Sequence, residues 1–229
     1  MAYKGVDLGS LRNDIDSYLT QYGQVLTSAF NTYAQRFEAY CFLEEFKRLK
    51  AAGLAPVLRN PGGAKYVVLK FYTRGRPSKY SHCEFVVRGE HIEMHHNLKI
   101  RSFHAGSPGA VDPEPGFHLD LAFIRADSIV NDNWVSSGDL LSFVECKHMP
   151  AFPELIASFL GLVHEVMPRY LSCKRASWFT RRRLRRPTLM TSRFPSIGAR
   201  SVWKTVSARG LSLGFVRYDP VSRGLIDEL

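Results

Sequence analysis

Phe143-Val144-Glu145-Cys146-Lys147, inside the apolar run 140–148, decides the fold when read with Asp120 at the end of Phe117-His118-Leu119-Asp120. Both segments are apolar enough to be buried strands, yet both carry charges. Alternate side chains of a strand share a face, so Glu145 and Lys147 point the same way. Glu-x-Lys alone is a common cross-strand ion-pair pattern on exposed strands. Leu140-Leu141 and Phe143-Val144 instead imply a strand buried on both faces. A carboxylate or ammonium isolated there is costly unless it is paired or holds a metal. A lone Asp on one strand and Glu-x-Lys on the next therefore point to a divalent ion held beside a lysine.

Working outward, residues 8–22 read as a short opening helix and 25–52 as a long one, ending where Gly53 supplies a left-handed cap. Phe30, Tyr33, Phe37, Tyr40, Cys41, Phe46 and Leu49 recur at helical spacing as one buried stripe. Glu38 borders that stripe, whereas Glu44, Glu45, Lys47 and Arg48 are expected on a wet face. The pattern then changes to strands. Residues 66–71 form one, and 81–87 with 91–100 form a hairpin around Arg88-Gly89-Glu90. Residues 105–116, rich in Gly and Pro, form a loop before the strand 117–124 that carries Asp120. Strand 140–148 is followed by a helix over 153–166, opened by Pro153. A strand over 187–192, a helix over 196–208 and a strand over 211–218 complete the order. The expected fold class is α/β: a mixed central sheet flanked by helices, with residues 1–24 as an N-terminal helical extension and 25–229 as the main domain.

The order Glu38 on a helix, Asp120, Glu145-Cys146-Lys147 and then a helix resembles the PD-(D/E)xK, or restriction-endonuclease-like, nucleases. The resemblance covers roughly residues 37–218. Phe37-Glu38-Ala39-Tyr40 is similar to the family's opening helix, whose Glu faces the active site. Phe159-Leu160-Gly161-Leu162 is similar to the helix that follows the motif. One departure is Leu119, where the family often places Pro. The resemblance implies a restriction-endonuclease-like fold and a Mg²⁺-dependent nuclease, with Mn²⁺ as an alternative ion. Asp120 and Glu145 are hard oxygen ligands suited to Mg²⁺. The family adds the backbone carbonyl of Cys146 as a ligand. Lys147 would assist the attacking water, and Glu38 would reach the metal through water or hold a second ion. The expected substrate is DNA, in a restriction or defence role by analogy alone. Two alternatives stay open: a non-catalytic nucleic-acid-binding module of the same fold, and a nuclease directed at RNA or single strands.

Charge distribution favours a polyanionic partner. The net charge is +10, yet between Glu165 and Asp219 the chain has thirteen Lys and Arg and no acid, while the remainder is slightly acidic. The field peaks at Arg181-Arg182-Arg183-Leu184-Arg185-Arg186. Such a run reads either as a solvated loop or, interleaved with Trp178, Phe179 and Phe194, as a phosphate contact. Arg181, Arg182, Arg183, Arg185 and Arg186 are the candidates, with Arg193, which sits where members of the resembled family contact nucleic acid. Clustered arginines grip backbone and carry no sequence information themselves. Targeting would then come from a homodimer or a partner protein.

Histidines invite a zinc reading, but no pair four apart lies on a helix as in a zinc protease, since His91 and His95 fall on the expected strand 91–100, and adjacent strand histidines face opposite ways. His96 is expected in the core; His95, His118 and His148 could line the cleft. Four cysteines without a CxxC pair argue against a zinc knuckle or disulfide framework and for a reducing, cytoplasmic setting. The longest apolar stretch, 155–163, is too short to span a bilayer, and the N-terminus has no secretory pattern.

Overall fold

A computed structural model describes residues 32–63, 65–105, 116–171, 183–219 and 224–227, together with 13, 15–17, 20, 25, 26 and 222. The chain is α/β. In order, the elements are β1 (Val25–Leu26), α1 (Tyr33–Ala51), β2 (Val57–Arg59), β3 (Tyr66–Val67), β4 (His82–Val87), β5 (Glu90–Arg101), β6 (Gly116–Arg125), β7 (Ile129–Val130), β8 (Trp134–Val135), β9 (Leu140–Pro150), α2 (Pro153–Val166), β10 (Thr188–Arg193), α3 (Ile197–Ala208), β11 (Gly214–Asp219) and β12 (Gly224–Asp227). Ten strands form one mixed sheet in the order β12-β11-β10-β9-β6-β5-β4-β2, with β8 on the far half of β5 and β7 paired to β8. Strands β9, β10 and β11 run parallel, while β6 is antiparallel to both β5 and β9.

Register assigns the helices to opposite faces. Val144 and Cys146 share one face of β9 with Leu121, Met190 and Val216 of its neighbours. Helix α1 covers that face: the Cys146 thiol lies against Cys41, and Tyr40 meets Tyr218 edge-on at 5.5 Å. Phe143 and Glu145 belong to the other face, where Phe143 packs on Phe159 of α2 at 5.8 Å and Trp203 of α3 packs on Phe215 at 5.2 Å. Phe37, Phe123, Phe143, Phe159 and Phe215 are among the largest buried side chains between these layers. Burying each is worth roughly 1.5–3 kcal/mol, which is why both faces of β9 read as apolar.

Local chemistry explains where the expected boundaries shift. The long helix begins at Tyr33 and not at 25, because Thr32 and Gln35 form a reciprocal capping box. Val25–Leu26 is a short strand parallel to Tyr66–Val67. The strand expected over 66–71 is only two residues long, while Val57–Arg59, hidden between Pro56 and Pro61, pairs antiparallel with β4. The β4–β5 hairpin forms as expected, except that Glu90 begins β5 and leaves two turn residues where three were expected, a shift of one in register. Its two-residue turn, Arg88-Gly89, has φ of 54° and 80°, the pair of positive angles that a type I′ turn requires. Asn13, Ile15, Asp16, Ser17 and Thr20 are helical within the opening segment, and Ile15 joins the core. Most of the 105–116 loop, like Arg181 and Arg182, lies outside the described residues. Among the described residues no helix is long and apolar enough to cross a membrane.

Candidate active site

Strands β6 and β9 pair from Ile124/Leu140 to Leu121/Val144, and then their partners change. Strand β9 continues beside β10 through Lys147, while β6 continues beside β5 to Gly116. The sheet forks at this point. Asp120 and Glu145, one step beyond the last paired residues, stand on its two arms. The amide of Cys146 donates to Asp120 Oδ2 at 2.7 Å, so a side-chain carboxylate replaces the next rung of the ladder. The fork therefore fixes Asp120 against β9 while keeping the strands apart.

Lys147 shares its face with Glu145, and its Nζ bridges the two arms, 2.5 Å from Glu145 Oε1 and 3.5 Å from Asp120 Oδ2. One ammonium thus serves two carboxylates, with Glu38 of α1 as a third acid acting on both. Burial raises the Asp120 carboxyl above its ordinary range; Glu38 adds to this and Lys147 offsets part of it. Burial and then the Asp120 charge push Glu145 up to about 7. Burial disfavours the Lys147 ammonium, but Asp120 and Glu145 outweigh it and hold that pKa above its usual value. Glu145 Oε2 is buried with no hydrogen-bond partner. Such an atom is expensive to keep, and an excess of buried negative charge is the arrangement a cation relieves.

The sequence-derived residues Glu38, Asp120, Glu145 and Lys147 are thus brought together. Cys146 supplies its amide to Asp120 and turns its thiol into the core. Behind Glu38, His96 Nε2 stands 3.5 Å from Glu38 Oε2 without a hydrogen bond, and His96 Nδ1 donates to the Lys70 carbonyl at 2.6 Å. His96 is buried, as its apolar face implied. His148 does not face the fork acids. Its ring stacks on Tyr33 at 5.8 Å and lies 6.2 Å from Phe37. His95 is engaged with Glu93 at 2.8 Å, away from the fork.

The basic cluster divides. Arg185 is half-buried and donates to Glu45 Oε2 at 2.9 Å, with Asp227 at 3.7 Å. Glu45, expected on a wet face, is fully buried and also pairs with Arg48 at 2.6 Å. Arg183 donates to the Ala52 carbonyl and its own carbonyl accepts from Arg48 at 3.0 Å. Arg183 and Arg185 therefore tie the segment after residue 182 to α1. Arg186 is half-buried, while Arg193 is exposed at the end of β10 and close enough to His148 to depress its imidazole pKa after burial has done so. It sits at the mouth of the fork. On the opposite arm Lys70, buried at 2% exposure, and Lys99 lie near His118 and disfavour its charged form, behind burial as the main cause. Lys70 was not singled out from sequence because it follows a broken strand. The only signal there was a lysine ending the apolar run Tyr66-Val67-Val68-Leu69.

Comparison of the chain with protein-family models, with curated proteins and with solved structures returned no match.

Proposed function

We propose that this protein is a Mg²⁺-dependent nuclease that hydrolyses phosphodiester bonds, with DNA as its substrate. The observation that carries this reading is the acid-rich fork: Asp120 and Glu145 converge across diverging strands, over-supplied with negative charge and bridged by Lys147. Hard carboxylate oxygens on a rigid scaffold suit Mg²⁺, which binds a few carboxylates and keeps several waters. Asp120 and Glu145 would hold the ion, and the Cys146 carbonyl would be the third oxygen. Bound there, the ion would acidify a water and neutralise charge on the scissile phosphate.

The chain's own residues supply the remainder. The Cys146 amide keeps Asp120 oriented when its charge partner changes. Lys147, no longer needed to neutralise the acids, turns its ammonium to the phosphate, where it orients the water and stabilises the developing oxyanion. Glu38 would accept hydrogen bonds from water on the α1 side. Arg193 at the mouth of the fork grips the phosphate backbone, positioning the duplex without reading bases. The half-buried Arg185 is assigned to the fold and not to the substrate.

Cleavage of plasmid, linear duplex, single-stranded DNA and RNA with Mg²⁺, Mn²⁺ or chelator tests this, comparing wild type with Asp120→Asn and Lys147→Ala. Metal-dependent cutting of DNA that both substitutions abolish is the expected result. Tight, salt-sensitive binding with no turnover under any metal would replace the nuclease by a binding module of the same fold. Cutting confined to RNA or single strands would keep the chemistry and change the substrate.

A further inference from the structure

A second group of ligand-type side chains lies on β4 and β5, apart from the fork. The type I′ turn at Arg88-Gly89 sets a register in which His82 faces His95 and Glu84 faces Glu93. His-Cys-Glu on one strand thereby lies against Glu-Met-His on the other, like opposite like. Directly opposed like charges destabilise a strand pair. The imidazoles of His82 and His95 stack at 4.6 Å with 9° between their planes. His95 Nε2 is 2.8 Å from Glu93 Oε2, and His82 Nε2 is 3.3 Å from Glu84 Oε1. One ligand atom from each of His82, Glu93 and His95 falls within 4.8 Å of the other two. Alternation excludes the thiol of Cys83, which is buried on the other face.

We infer that His82, Glu93 and His95 form a transition-metal site, selective for an ion of the Zn²⁺ type. Two imidazole nitrogens with one carboxylate suit Zn²⁺ and disfavour Mg²⁺, which takes oxygen ligands. Ligand atoms around a tetrahedral ion at Zn–N distances of about 2.0–2.1 Å lie about 3.3 Å apart. The His95–Glu93 spacing is shorter than that value and all three atoms lie within 4.8 Å, so binding draws Glu93 back from His95 and tilts the two rings out of their stack until their lone pairs converge. The ion replaces the unfavourable opposition of like groups with a shared positive centre. Glu84 is already oriented from outside: Arg59 Nε donates to its Oε2 at 2.7 Å, leaving Oε1 turned to His82. That carboxylate is the outer partner that fixes a ligating histidine. Three protein ligands leave a fourth position. Glu84 and Glu93 also line a cleft of about 780 Å³ with Arg59, Glu90, His91, Arg125 and Asp127, so an ion held by Glu93 borders open space.

The test is titration of chelator-stripped full-length protein with Co²⁺ alone, followed by displacement with Zn²⁺ alone. Expected are one equivalent of Co²⁺ with the intense visible bands of a four-coordinate ion, displacement by Zn²⁺ and none by millimolar Mg²⁺. His82→Gln and Glu93→Gln should each weaken that binding by at least about 100-fold, and Glu84→Ala by about 10–100-fold as the outer partner. His95 is buried, so His82, which is partly exposed, carries the decisive substitution, with unchanged circular dichroism confirming the fold. Asp120→Asn should leave the Co²⁺ spectrum intact, which separates this site from the fork whether or not the fork cleaves nucleic acid. The inference is overturned by the absence of stoichiometric Co²⁺ binding. It is equally overturned by a spectrum that survives both His82→Gln and Glu93→Gln, or by one that His164→Ala abolishes, which would locate the ion at His104, His164 and Glu165.

Discussion

Glu45 and Glu145 are both carboxylates withdrawn from water beside the same sheet, and their surroundings move them in opposite directions. Burial alone would raise both. At Glu45 two guanidiniums, from Arg185 and Arg48, overcome burial and hold the carboxyl below its ordinary value. At Glu145 a single ammonium is shared with Asp120, and burial plus the neighbouring acid prevail, reaching about 7. One cluster is closed, with each acid oxygen bonded. The other is short of positive charge and leaves Glu145 Oε2 without a partner. A closed buried ion pair fastens elements together; an acid-rich one is poised to take a cation. Four substitutions test that contrast.

The largest effect is expected at the fork. Asp120→Asn keeps the shape but removes a metal ligand, and should lower cleavage by at least about 10²–10³-fold. Its urea midpoint without metal should hold or rise, because one of two crowded acids has been neutralised. A drop in stability matching the loss of activity would mean that Asp120 is structural, like Glu45.

Arg185→Ala attacks the closed cluster. Removing one partner of a buried pair leaves an uncompensated charge, at a cost of roughly 3–5 kcal/mol. Thermal unfolding should show that loss, while cleavage per folded molecule stays near wild type. Should stability survive and DNA binding fall instead, Arg185 would return to the phosphate contacts read from the sequence.

That last contrast shows what the sequence could and could not reveal. Asp120, Glu145 and Lys147 were legible because charges stood out in strands whose neighbours are apolar on both faces. Glu45 was not, since Glu44-Glu45-Phe46-Lys47-Arg48 looks like any solvated helical turn. Its burial depends on Arg185, 140 residues away. The same locality hid the histidine group. Spacing within one strand shows no second strand's ligand, and the three-residue turn expected at Arg88-Gly89-Glu90 sets His82 opposite His96, one residue away from its observed partner His95. Short edge strands such as Val57–Arg59 and Gly224–Asp227 left no periodic trace at all.

The two carboxylates also predict opposite pH responses in metal-free protein. Glu145 keeps its proton up to about 7 when folded but releases it near 4.5 when unfolded, so the folded state binds more protons between those values. Its contribution to stability therefore falls as pH rises from 4.5 through 7. Glu45 is lowered on folding, so its contribution is present above 4.5 and lost as pH falls below it. Glu145→Gln should accordingly gain stability relative to wild type on going from pH 5 to pH 8, measured by urea unfolding in chelator. Glu45→Gln should lose relative stability above pH 4.5 and recover parity in acid. Parallel curves for Glu145→Gln and wild type would show that the fork acids are not in competition.

The smallest effect is expected at Arg193, which belongs to neither cluster. It is exposed, stands at the mouth of the fork, and lies near enough to His148 to influence it electrostatically. An exposed arginine that touches one phosphate supplies a screened attraction and releases about one counterion. Arg193→Ala should therefore weaken duplex binding uniformly across sequences and reduce the slope of log K against log salt by about one. Stability and the rate at saturating DNA should stay unchanged. Because Arg183 and Arg185 are tied to α1, the phosphate grip of this face rests more on Arg193 than the density of arginines in the sequence suggests. An unaltered salt slope in this variant would move the duplex to the other arm of the fork, where Lys70 and Lys99 flank His118.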